Sequence, residues 1–154
     1  MAEPQQAPAQ AQFAIEKIYV KDVSFESPNA PQIFLDREQP QLEFQFANKA
    51  LAIGNDFHEV ALTATVTAKV GEKTLFLIEA TQAGIFLIKG VPTTELEPIY
   101  AITCPTILQP YLRETISDLT VRAGFPPVFL APMNFDALYR QQQQQAGQPA
   151  ETSH

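Results

Sequence analysis

The stretch FLIEATQAGIFLI, residues 76–88, decides how the rest of the chain is read. It is apolar at both ends and carries Glu79, Thr81 and Gln82 in the middle. On a strand, alternate side chains point to opposite faces. One face is then Phe76, Ile78, Ala80, Gln82, Gly84, Phe86 and Ile88. The other is Leu77, Glu79, Thr81, Ala83, Ile85 and Leu87, with Leu75 just before it. Both faces are largely apolar, although an antiparallel sheet needs only one buried face. Helices, another subunit or a bound chain must therefore cover the second.

Upstream, FHEVALTATVTAKV, residues 57–70, alternates cleanly. His58, Val60, Leu62, Ala64, Val66, Ala68 and Val70 form its apolar face, and Glu59, Thr63, Thr65, Thr67 and Lys69 the wet one. A short hairpin turn around Gly71 delivers it into the opening strand. FAIEKIYVKDVSFE, residues 13–26, is rich in β-branched and aromatic residues and reads as a strand. Its phase switches at Lys21 and Asp22, which predicts a bulge. Beyond the switch Asp22, Ser24 and Glu26 share one face, opposite Val23 and Phe25. Pro28 and Pro31 break the ladder, and a long connection runs to Pro40. QLEFQF then alternates, with Leu42, Phe44 and Phe46 on one face. NKALAIGND reads as a linker ending in a turn around Gly54. The chain should thus contribute four antiparallel strands.

After Ile88 the period changes. KGVPTTELEP is a connection with room for a short helix. Between Pro105 and Ala123, the residues Leu108, Leu112, Ile116 and Leu119 recur at three- and four-residue steps, the mark of an amphipathic helix. Gly124 suits its end. Pro110 in a helix interior costs about 3 kcal/mol, so the regular helix is expected to start near Pro110 or to kink there. FPPVFLAP, residues 125–132, should pack as an extended connection. Asn134 caps a second helix from Phe135 to about Gln145. Residues 1–12 and 141–154 are rich in Gln, Ala and Pro and are expected to be disordered tails around a body of residues 13–140.

Composition narrows the function. Ten Lys and Arg against 17 Asp and Glu, a net charge of −7, argue against nucleic acid. The N-terminus lacks the charged and apolar regions of a signal peptide, and no apolar run approaches the ~20 residues of a membrane span. The single cysteine, Cys104, excludes an internal disulfide and suits a reducing cytosol. No His or Cys pair has metal-ligand spacing, no glycine-rich phosphate loop is present, and no cofactor is expected. Asp22 and Glu26 would sit about 13 Å apart along a strand, too far for a paired-carboxylate site. Cys104 reads as an inert buried thiol before it reads as a nucleophile. An enzyme is not expected. Eleven Phe and four Tyr leave aromatics to spare, and an apolar groove near Leu42, Phe44 and Phe46 would bind extended chain.

Four blocks carry a resemblance: IYVKDVSFESPNAP, EKTLFLIEATQAGIF, CPTILQPYLRETIS and GFPPVFLAPMNFDALY. Together, in this order and over most of residues 13–140, they resemble SecB, the bacterial export chaperone family. The resemblance implies an α+β fold, a four-stranded antiparallel sheet packed with two C-terminal helices and assembled as a dimer of dimers, a homotetramer. It implies a cytoplasmic protein that holds unfolded preproteins without ATP and passes them to the SecA motor ATPase. The positions matching the family's SecA contact are Asp22, Glu26, Leu77 and Glu79. Those linked to tetramer assembly are Ile78, Ala80 and Gln82. Client contact is expected at Leu42, Phe44 and Phe46, with Phe34, Tyr111, Phe129 and Phe135 as further groove residues. The C-terminal tail is a second motor contact in the family, and here it is glutamine-rich and less acidic. A binder of small apolar ligands, or a hydrolase using Cys104, are the rival readings.

Overall fold

A computed structural model describes residues 10–147. Four strands form one antiparallel sheet: β1 (Gln12–Glu26), β2 (Gln41–Gly54), β3 (Phe57–Val70) and β4 (Lys73–Lys89). Their order is β1-β4-β3-β2, so the opening stretch lies at the centre and β1 and β2 are the edges. A short helix α1 (Thr93–Pro98) runs through a π-turn (Ile99–Thr103) into the long α2 (Cys104–Arg122). The last helix is α3 (Phe135–Ala146).

The face predicted from periodicity is the face that is buried. Every even-numbered residue of β3 from His58 to Val70 is buried, and every odd-numbered one is only partly so. In β4, Ile78, Ala80 and Phe86 are completely buried. Leu108, Leu112 and Ile116 of α2 are completely buried too and join them in one core. At Gly84 the close approach demands the absence of a side chain. A Cβ there would lie 2.8 Å from the Phe86 ring and 3.2 Å from Leu108. Buried polar groups are tied to the layer they enter: the Thr115 hydroxyl donates to Gln82 Oε1 at 3.1 Å, and the Gln109 amide donates to the Ala131 carbonyl at 3.0 Å. The Thr120 hydroxyl accepts from the Val128 amide at 3.1 Å. These bonds fasten the proline-rich connection to α2, and Val128 and Leu130 are buried beneath it.

The phase switch in β1 is a bulge, with Val20 opposite Gln82 and Asp22 opposite Thr81, leaving Lys21 unpaired. A second irregularity separates Ile15 from Lys17. Asn134 caps α3 as expected, accepting from the Ala137 amide at 3.0 Å.

Three expectations are corrected. NKALAIG is not a linker but the second half of β2, paired with β3 from Asn48–Leu62 through Ala52–His58. Its alanines have weak strand preference, and the preformed neighbour supplies the missing drive. The turn follows it, with positive φ at Gly54, Asn55 and Asp56. Next, α2 starts at Cys104 and runs through Pro110. Leu108 and Leu112 anchor it on both sides of Pro110, and burial of that continuous face outweighs one lost backbone bond. Finally, the second helix runs to Ala146, as far as its expected end near Gln145, so residues 141–146 belong to it and not to the tail, because glutamine is a good helix former. The Gln143 side chain donates to the Tyr139 hydroxyl at 2.7 Å. Gln12, expected in the first tail, already belongs to β1, and residues 1–9 and 148–154 of the expected tails lie outside the described residues.

Candidate functional site

The two faces of the sheet offer different chemistry. On the inner side, α1, the π-turn, α2 and α3 leave the edge strand β2 uncovered. All fourteen of its residues are exposed. Its inward-facing Leu42, Phe44 and Phe46 remain 40%, 41% and 36% exposed, which makes them part of the surface and not of the core. They lie along the edge of the sheet.

Each end of this row meets a cleft. One, of about 500 Å³, lies between β2, the π-turn and α3, and Phe46, Tyr100, Met133, Phe135 and Leu138 line it. The other, of about 490 Å³, lies under the crossover, against Phe34, Leu42, Phe76 and Phe125. Here Phe34 stacks on Phe125 with ring centroids 5.1 Å apart, and Phe125 tilts against Phe76 at 4.9 Å. A ladder of rings therefore runs from the core to the surface, where Phe34 is exposed. Phe44 lies on the strand between the two clefts. Tyr111 and Phe129 are exposed but line neither cleft.

Sequence reasoning missed Tyr100. It sits in the π-turn, outside any periodic segment. Its hydroxyl is hydrogen-bonded to His58 Nδ1, and its carbonyl accepts from the Asn48 side chain at 2.9 Å. Tyr100 thus fixes the wall of the first cleft to both β3 and β2. Burial raises its hydroxyl above the ordinary tyrosine range.

The outer face carries the carboxylates. Asp22 pairs with Thr81, Ser24 with Glu79 and Glu26 with Leu77 across β1 and β4. Glu79 is thereby flanked diagonally by Asp22 and Glu26, about 7 Å away by sheet geometry. Leu77 is 37% exposed among them. The four residues assigned to one contact by resemblance do share one patch. Ile78, Ala80 and Gln82 face the other way and are buried under the chain's own helices.

The chemistry of an enzyme finds little support. Cys104 is completely buried, and desolvation pushes its thiol up to about 12. It is protonated at neutral pH and a poor nucleophile. Among the described residues no group of His, Cys, Asp and Glu is arranged to hold a metal ion. No described helix is long and apolar enough to cross a membrane.

Comparison with known proteins agrees with this picture. The family described as preprotein translocase subunit SecB matches residues 5–146. A protein-export protein SecB of Nitrosomonas eutropha is 57% identical, over 95% of this chain and 91% of the relative. That of Nitrosomonas europaea is 56% identical over 99% and 98%, and that of Dechloromonas aromatica 58% over 90% and 92%. Among solved structures, the Mycobacterium tuberculosis Rv1957 SecB-like chaperone, in complex with a ChAD peptide from the Rv1956 HigA1 antitoxin, shares the fold. Its TM-score is 0.64 at 20% identity, over 79% of this chain and 88% of that one. On the match of fold, length and sequence together, the chain belongs to the SecB family, a family of protein-export chaperones and not of enzymes.

Proposed function

We propose that the chain holds non-native preproteins in an unfolded, translocation-competent state without ATP, and delivers them to the SecA motor ATPase in the cytoplasm. The observation that carries this reading is the exposed row Leu42, Phe44, Phe46 between two aromatic clefts. An unfolded chain supplies apolar side chains along an extended backbone, and contact with them is non-directional. Binding the unfolded form alone shifts the client's folding equilibrium by mass action. Both clefts are open to solvent, which suits a passing chain better than a single small apolar ligand.

The client row is Leu42, Phe44 and Phe46, continued by Phe34 and Phe135 at the clefts. Tyr111 and Phe129 are further exposed contacts for a long client, outside the two clefts. Asp22, Glu26, Leu77 and Glu79 form the docking patch for SecA, where carboxylates around an exposed leucine suit a basic segment. The working unit is a dimer of dimers. Phe13, Ile15, Val20 and Val23 along edge strand β1 are 41%, 49%, 50% and 39% exposed, apolar surface that a second copy would cover. Ile78, Ala80 and Gln82 act on assembly indirectly, by setting the seat of α2.

A refolding assay tests the holding step. Added in excess to a slowly folding preprotein diluted from denaturant, the protein is expected to slow recovery of native signal in proportion to its concentration, with no nucleotide present. Recovery at the unassisted rate over the whole concentration range would contradict it.

A further inference from the structure

A cation, Lys21, lies beside the docking patch. Lys21 is the unpaired residue of the bulge, immediately before Asp22. A free lysine there would repel a basic partner from the very carboxylates meant to receive it. It is not free. Its Nζ lies 2.6 Å from Glu59 Oε1 of β3, two strands away. The other oxygen, Glu59 Oε2, accepts from the Tyr19 hydroxyl. The reach across β4 is made possible by Ala83, which stands opposite Tyr19 on one side and Ala61 on the other. Ala83 is completely buried although it is on the outer face, so the three side chains close over it.

The Glu59 side chain is only 17% exposed, against 50% for Lys21. The Lys21 ammonium, then the Tyr19 hydroxyl, hold the Glu59 carboxyl below its ordinary range, so it is ionised throughout the neutral region. The bulge and the clamp are thus one device: the extra residue lets the chain switch phase, and its charge is taken up at once.

We propose that Glu59 is a specificity-determining residue of the docking surface: by holding Lys21 across β4 it draws away the positive charge next to Asp22 that would oppose a basic segment at Asp22, Glu26 and Glu79. This rests on the reading of that patch as the SecA docking site. Glu59 itself need not touch the partner. Its effect runs through Lys21.

The test is a double-mutant cycle read by titration of purified SecA into the assembled protein at physiological salt. Glu59→Gln keeps the bond from Tyr19 but frees Lys21, and is expected to weaken binding about fivefold. Lys21→Gln is expected to leave binding equal or tighter. The double variant Lys21→Gln/Glu59→Gln is expected to return to near the unmodified affinity, a rescue that mere damage to the fold would not give. Glu72→Gln, an exposed carboxylate in the β3–β4 turn, serves as a charge-matched control and should change little. Unchanged affinity for Glu59→Gln, equal weakening by Glu72→Gln, or a double variant weaker than either single would overturn the proposal. Glu79→Lys separates the two levels. If it abolishes binding while Glu59→Gln does not matter, only the role of Glu59 fails. If Glu79→Lys binds SecA normally, the docking site itself is wrong.

Discussion

Changing Leu42, Phe44 and Phe46 together to alanine is expected to weaken capture of an unfolded client by about 2–4 kcal/mol, a loss on the order of a hundredfold. Each side chain is more than a third exposed in the free protein, so each has apolar surface left to bury against a client. The row also joins the clefts at Phe34 and Phe135, so a bound chain that loses the row loses the continuity between them. Damage to the fold should be small. The three residues lie on an edge strand and are themselves partly exposed, so the loss is confined to the flank of their β3 partners Ala68, Val66 and Ala64. Assembly mass and melting temperature should therefore stay near those of the unmodified protein. Unchanged client affinity in an intact assembly would place the site elsewhere, with exposed Tyr111 and Phe129 the next residues to change.

Reversing one charge on the opposite face should separate delivery from holding. Glu79→Lys is expected to reduce SecA recruitment by about thirtyfold or more, because it removes a carboxylate and adds a cation between Asp22 and Glu26. The side chain is exposed, and its one hydrogen bond among the described residues is a long 3.5 Å bond from the Thr65 hydroxyl, so the fold has little to lose. Client holding should survive, since the client row is on the other face of the sheet. The deficit should shrink as salt is raised, because exposed charges are screened. A normal SecA titration by Glu79→Lys, or an equal loss of client binding, would count against the division of labour between the two faces.

How far the sequence reveals all this depends on the range of the signal. Period-two alternation shows β3 and β4 plainly, and it exposes the bulge in β1 because a slipped phase turns Val20 and Val23 to the same face from odd and even positions. Asn134 is legible as a cap for the same reason: its bond to Ala137 spans three residues. Features that depend on distant partners leave no such mark. The second half of β2 looks like a linker until β3 is beside it. His58 reads as one more apolar-face position, and its partner Tyr100 is 42 residues away on a turn with no period. Glu59 reads as a wet-face carboxylate, while Tyr19 and Lys21 bind it from 40 and 38 residues away. The clefts are products of packing between β2, the crossover and α3. The pattern of the opening strand showed that both its faces need partners. The structure supplies the helices for one and leaves Leu77 and Glu79 open on the other.

The most direct measurement is the mass of the assembly alone and with an unfolded polypeptide. A tetramer that takes up one long unfolded chain, and ignores the same chain once folded, is the expected result. A monomer, or an assembly that binds the folded and unfolded forms alike, would contradict the holding function.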